Sequence, residues 1–215
     1  MPQAKSNVYA RLKSILIPNM YYRDDRWPEG SDGPQNLAAR ESREATMGTK
    51  PISLKSISRE SIPRALDKAE RYRLLNEPFL AESICLDVLG ADPDDARALA
   101  IYALSLADQL TQSEAPVKRA LEAIAKMKRP YDRAYYAGIV AERRASAILE
   151  RAGYGAGAVA WHHIQDAMKL YEEADKLQED DSNDDAILRY NTCVRLLEAH
   201  RLSEPAHEPD DYPLE

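Results

Sequence analysis

His162 and His163 are the first residues in this chain whose type suits acid–base or metal chemistry, since only four His are present. Successive positions on a helix point about 100° apart, so the two rings cannot chelate one ion together. Neither HExxH nor another helical two-His ligand spacing accompanies them. His162 shares a polar face with Asp166 and Lys169, as a solvated helix surface would. The string GYGAGA, starting at Gly153, has the glycines of a phosphate loop, but the helix-forming AERRASAILERA precedes it where a strand would be needed. It reads as a helix-to-helix turn, with a weak anion site at the next helix N-terminus as the alternative. The run EDDSNDD brings Asp181, Asn183 and Asp185 to the alternation of an EF-hand loop. Ala186 then occupies the required Gly position and Thr192 that of the bidentate Glu, which excludes calcium binding of that kind. Ser182 and Asp185 stand at capping-box spacing, so the acids read as a helix start.

Cys85 and Cys193 lie far apart and outside any CxxC pair, as buried thiols in a reducing cytosol would. No GxSxG, phosphate-binding Walker loop or Cys/His nucleophile arrangement is visible. The sequence thus offers no catalytic residue, metal site or cofactor site, and a cytoplasmic, non-enzymatic protein is the expectation.

The elements that carry these residues are helices. Eight Gly, one Phe and two Trp in 215 residues give strands little to work with, whereas the Ala, Leu, Glu and Arg content suits helices. From residue 62 onward the punctuation is clear. Ser61 caps a helix with Pro63 in its first turn, Asn76-Glu77-Pro78 breaks it, and Pro78 opens a second helix that Gly90 closes. That second helix repeats Leu80, Ala81, Ile84, Cys85, Val88 and Leu89 at three and four. Asp92 as cap with Pro93 at the first position predicts a third helix to about residue 110. Further helices are expected over residues 113–128, from Pro130 to about residue 152, after the glycine turn, and around residues 186–197. Tyr136, Trp161, Tyr171 and Tyr190 follow the apolar stripes and are expected in the core, with Tyr131, Tyr135 and Tyr154 exposed.

The formal net charge of −7 argues against nucleic-acid binding. It conceals two opposed segments, because residues 1–63 carry ten basic and seven acidic side chains and residues 64–215 carry 19 and 29. Residues 1–61 lack a sustained period and read as an extended or disordered arm, with one short amphipathic helix over residues 6–17 that joins Val8, Leu12, Ile15 and Leu16. The opening holds Lys5, Arg11, Lys13 and Arg23 before its first acidic residue, Asp24, and so also imitates an organelle transit peptide. No cleavage site of the secretory type follows, and no apolar stretch is long enough to span a membrane. Residues 202–215 read as an acidic, Pro-rich tail.

The spacing between helical hairpins carries the resemblance. Pro63 and Ala96 bound one repeat unit, which reads Ala65-x2-Lys68-Ala69-x2-Tyr72, then Ala81-x3-Cys85-x2-Val88, then Pro93. A second unit repeats Leu99-x2-Tyr102-Ala103-x2-Leu106, with an insertion near residues 111–114, and an elongated third has Tyr136-x2-Ile139-Val140 and Ala167-x3-Tyr171-x2-Ala174. In the length of its first unit and in these motifs, the chain over residues 62–201 resembles a divergent tetratricopeptide-repeat (TPR) protein. The resemblance implies an all-α fold, an α-α superhelix of about three antiparallel hairpins with a C-terminal capping helix. It also implies a scaffold or adaptor whose first helices line a groove for another protein or peptide. By analogy the groove residues are Leu66, Asp67, Glu70, Arg73, Leu74, Arg97, Ile101, Leu104, Asp108, Ala141 and Arg144. Leu66 and Glu70 take places where a carboxylate clamp of that family would want Lys and Asn. Homo-oligomers through the basic arm and acidic body would also fit. Two other functions stay open: an α-helical enzyme with a site near His162 and His163, and a structural subunit of a larger, membrane-peripheral complex.

Overall fold

A computed structural model describes residues 52–205, in which every regular element is helical. A 3₁₀ turn, Arg59–Ser61, leads into α1 (Ile62–Leu74), followed by α2 (Pro78–Ala91), α3 (Ala96–Asp108) and α4 (Pro116–Lys126). The two long helices α5 (Pro130–Arg151) and α6 (Ala156–Leu177) come next, and α7 (Asp185–Ala199) ends the series. The arm helix expected over residues 6–17 and the end of the tail, residues 206–215, lie outside the described residues.

Proline explains where most of these helices start. α1, α2, α4 and α5 each carry Pro at their first or second position, where φ is already helical and the missing N–H has no partner to lose. α3 is different and corrects the sequence expectation. Asp92 and Pro93 belong to the preceding turn, in which the Asp92 carbonyl accepts from the Asp95 amide, and the cap is Asp95, whose carboxylate accepts from the Ala98 amide at 2.7 Å. The chain thereby turns before it coils, which Pro93 at the first helical position would not allow. The start of α7 is a second correction. Ser182 does not cap it; its amide and hydroxyl both donate to Asp180, and Asn183 Oδ1 accepts from the Asp185 amide. A chain of local side-chain turns has outcompeted the capping box.

Helix ends are equally local. At α1 the Asn76 amide reaches the Arg73 carbonyl and the Glu77 amide the Tyr72 carbonyl, with Asn76 at φ 59°, a Schellman ending on a residue type that tolerates the left-handed region. The same pattern at Arg201, φ 51°, turns Leu202 back onto the core.

α1 packs on α2, α3 on α4, and α5 on α6, while α2 packs on α3, α4 on α5 and α6 on α7. The first helices of the hairpins, α1, α3 and α5, also touch in succession. They open at Ile62, Ala96 and Pro130, at one constant interval. The apparent insertion between Pro93 and Pro130 is therefore absorbed: the α3–α4 connection is longer and α4 shorter than their counterparts in the first hairpin. In register with this spacing, Ala69, Ala103 and Ala137 are all buried and let neighbouring helices approach.

α5 and α6 approach closely at Gly138. Ala160, Ala167 and Ala174 recur every seven residues along α6 and are fully buried. A Cβ added to Gly138 would lie 2.6 Å from the ring of Tyr171, so only glycine leaves room for that ring. The Tyr171 hydroxyl donates to Glu142 at 2.6 Å, and Arg189 of α7 donates to the other carboxylate oxygen at 3.1 Å. Tyr171 and Glu142 are buried and Arg189 is partly so, which makes this a fully partnered ionic junction between three helices.

Candidate functional site

One concave feature of the described surface is built mainly by the three first helices. On α3, Arg97, Ile101 and Leu104 recur at four and three; on α1, Glu70 and Leu74 stand four apart with Arg73 between; on α5, Asp132 and Tyr136 stand four apart. Each spacing puts the side chains on one helix face. With Ala96, Ala100 and Met127 they enclose an open concavity of about 500 Å³. Ala100, Ile101, Leu104, Met127 and Tyr136 supply an apolar floor, and Leu74, 88 % exposed, stands at its edge.

The charged side chains around it bind each other across helices. Arg97 grips Glu70 with two bonds, at 2.7 and 3.0 Å, and Asp67 with a third at 2.7 Å. These bonds hold its guanidinium charged more firmly than usual. Arg73 bonds Asp108 at 2.9 Å, and Arg143 approaches the other oxygen of Asp108 at 3.7 Å. Such partly exposed pairs add little stability, but they fix the position of long side chains at the rim. Burial pushes the Tyr136 phenol up to about 12, so its hydroxyl remains a donor at neutral pH.

Six of the residues singled out from the sequence line this concavity: Glu70, Arg73, Leu74, Arg97, Ile101 and Leu104. Asp67 and Asp108 do not line it but anchor the two arginines that do. Leu66, 2 % exposed, and Ala141, with no exposed surface, are core residues and offer nothing to a partner. The family analogy places them on the face that these tightly packed first helices turn inward. Arg144 bonds Glu114, which also takes Arg151, and so belongs to the junction of α5 with the α3–α4 connection. Sequence reasoning missed Asp132, Met127, Ala96 and Ala100. It places Tyr136 in the core, although Tyr136 recurs one hairpin interval after Tyr102 and one helical turn after Asp132, a signal that could have placed it here.

The other candidates resolve into structure. His162 is exposed, edge-on to Trp161, while His163 points inward and is 5 % exposed. Burial, reinforced by the positive charge of Arg144, lowers His163 to about 4, so it is neutral, and its Nδ1 has no hydrogen-bond partner. Gly155, at φ 72°, caps α6 after Ala152 ends α5 in the left-handed region, so only Gly153, Tyr154 and Gly155 of GYGAGA form the interhelical turn, and Gly157, expected in that turn, already lies in the first turn of α6. Burial pushes both Cys85 and Cys193 up to about 12, which leaves them as thiols. Tyr131 is buried, contrary to expectation, because its ring stacks on Tyr135 and its hydroxyl accepts from Asn183 at 3.1 Å. Tyr154 is exposed as expected. Among the described residues no three His, Cys, Asp or Glu side chains group as a metal site, and no helix is long and apolar enough to cross a membrane.

The fold and this concavity define a class, an all-α array of antiparallel helical hairpins with a groove across successive first helices. Comparisons with protein-family models, curated proteins and solved structures gave no match.

Proposed function

We propose that this protein is a non-enzymatic scaffold of the TPR type that holds a peptide or a helix of another protein in the groove formed by α1, α3 and α5. The observation that carries the reading is the groove itself, with an apolar floor from α3, α5 and Met127 and rim arginines fixed by carboxylates. Apolar side chains of a ligand would bury against Ile101, Leu104 and Tyr136, and polar groups would meet guanidinium and carboxylate groups that need no reordering. The constant interval between the starts of α1, α3 and α5 supports the TPR relationship, as does the succession of contacts between first helices. On this reading the hairpins stack as a superhelix, α7 closes its far end, and the protein works in the cytoplasm.

Cross-linking mass spectrometry in native extract tests it, using the wild-type chain and the Leu104→Lys variant. The expected outcome is a set of partner cross-links clustered around the groove that Leu104→Lys abolishes. Cross-links that persist unchanged in the variant overturn the assignment.

The inward-facing His163 is the one observation favouring an enzymatic reading. The two readings part on His163→Leu, which in a scaffold removes an unsatisfied buried nitrogen and leaves binding intact.

A further inference from the structure

α2 packs on α1 and α3 with Ala81, Cys85 and Val88 fully buried. Its opposite face is unusual for a helix that meets water. Phe79 is 55 % exposed and Leu86, two turns later on the same face, 49 %, with Leu75 of the preceding turn at 64 %. Ser83 lies between them and Asp87 beside them. Along the chain the charge here has one sign: between Arg73 and Arg97 the sequence holds six acidic residues and no Lys or Arg. Glu82 is taken by Arg119, Asp94 by Lys128 and Asp95 by its helix cap, whereas Glu77 and Asp87 form no ion pair among the described residues.

An apolar strip flanked by free carboxylates calls for an apolar helix flanked by cations, and the same chain holds one. Residues 6–17 bring Val8, Leu12, Ile15 and Leu16 to one helical face, with Arg11 and Lys13 beside them, in an acid-free stretch. Length is no obstacle. α2 is roughly 21 Å long at 1.5 Å per residue, and residues 18–51 can span roughly 110 Å at about 3.3 Å each. A terminal hairpin of a repeat array also needs a cover on its outer side.

We propose that residues 6–17 dock as an amphipathic helix on the face of α2 that bears Phe79 and Leu86, within the same chain. The basic arm is then a built-in cap for the first hairpin, which leaves the groove of α1, α3 and α5 free for a partner. This docking stands whether or not the groove binds a peptide.

Cysteine pairing in the full-length chain tests it, because both native thiols are buried and unreactive. The double variant Leu12→Cys with Leu86→Cys should oxidise to a fast-migrating monomer on a non-reducing gel. Pairing of Leu12→Cys with Val159→Cys, an exposed site on α6, should be at least roughly tenfold slower, since only docking raises the local concentration at α2. Asp87→Lys should slow the α2 pairing. Equal rates for the two pairs overturn the proposal, as does a product that is mainly a disulfide dimer, which would make the occupant a second copy. Hydrogen exchange on the unmodified chain provides an independent check on folding: deleting residues 1–17 should speed exchange in α2 and leave α6 unchanged, and no change in α2 also overturns the docking.

Discussion

The first two hairpins and the last three helices of this protein solve different problems. α1 to α4 are 11 to 14 residues long, and their ion pairs at Arg97 and Arg73 sit at the surface beside an open groove. α5 and α6 are 22 residues each and press together over alanine and glycine, with the Glu142 carboxylate buried between Tyr171 and Arg189. The same ingredients, carboxylate and guanidinium, are paired at the solvent-facing surface at one end and inside the packing at the other. Exposed pairs are worth little and buried ones are costly to break, so substitutions in the two regions should differ sharply.

The largest effect is expected at the buried junction. Glu142→Ala leaves the Tyr171 hydroxyl and the Arg189 guanidinium without their partner and should cost about 3–5 kcal/mol of unfolding free energy in urea denaturation. Gly138→Ala places a methyl group inside the Tyr171 ring contact and should cost about 1–3 kcal/mol, despite the better helix propensity of alanine. If Gly138→Ala instead stabilises the protein, the close α5–α6 approach is wrong.

An effect of intermediate size comes from His163. Its pKa falls from 6.5 to about 4 on folding, so the folded state holds fewer protons than the unfolded one between those values. The stability this confers is complete above pH 6.5 and is lost as pH falls toward 4, by at most about 1.4 kcal/mol per pH unit. Comparing urea midpoints at pH 7 and pH 5 for wild type and His163→Leu isolates it, since the variant should lose this share of the pH dependence. The smallest effects belong to the groove. Leu74→Lys, at an exposed rim position, should change stability by less than about 0.5 kcal/mol, and a larger loss would mean that the rim is part of the core.

Much of this architecture was legible in the sequence because its signals are local. Pro63, Pro78 and Pro130 mark helix starts through their own φ, and Asn76 marks an end through its tolerance of the left-handed region. What could not be read depends on competition or on distance. Asp92, Asp94 and Asp95 all suit a cap, and only the geometry of the turn selects Asp95. Glu82 and Glu142 look like surface acids until Arg119 and Arg189, far along the chain, partner them inside the fold. At the groove, the family analogy found Glu70, Arg73 and Leu74 of α1 and Arg97, Ile101 and Leu104 of α3. The share of α5 escaped it, because the stripe containing Tyr136 serves core and concavity together.

The most direct test of a peptide-binding groove is selection of a random peptide library on the folded full-length chain, followed by titration against variants. Selected peptides should carry apolar anchors. Their affinity should fall at least roughly tenfold with Leu104→Lys but stay unchanged with Val159→Lys on α6, as loss of a buried anchor contact requires. Peptides that bind both variants like the wild type would contradict the groove as the binding site.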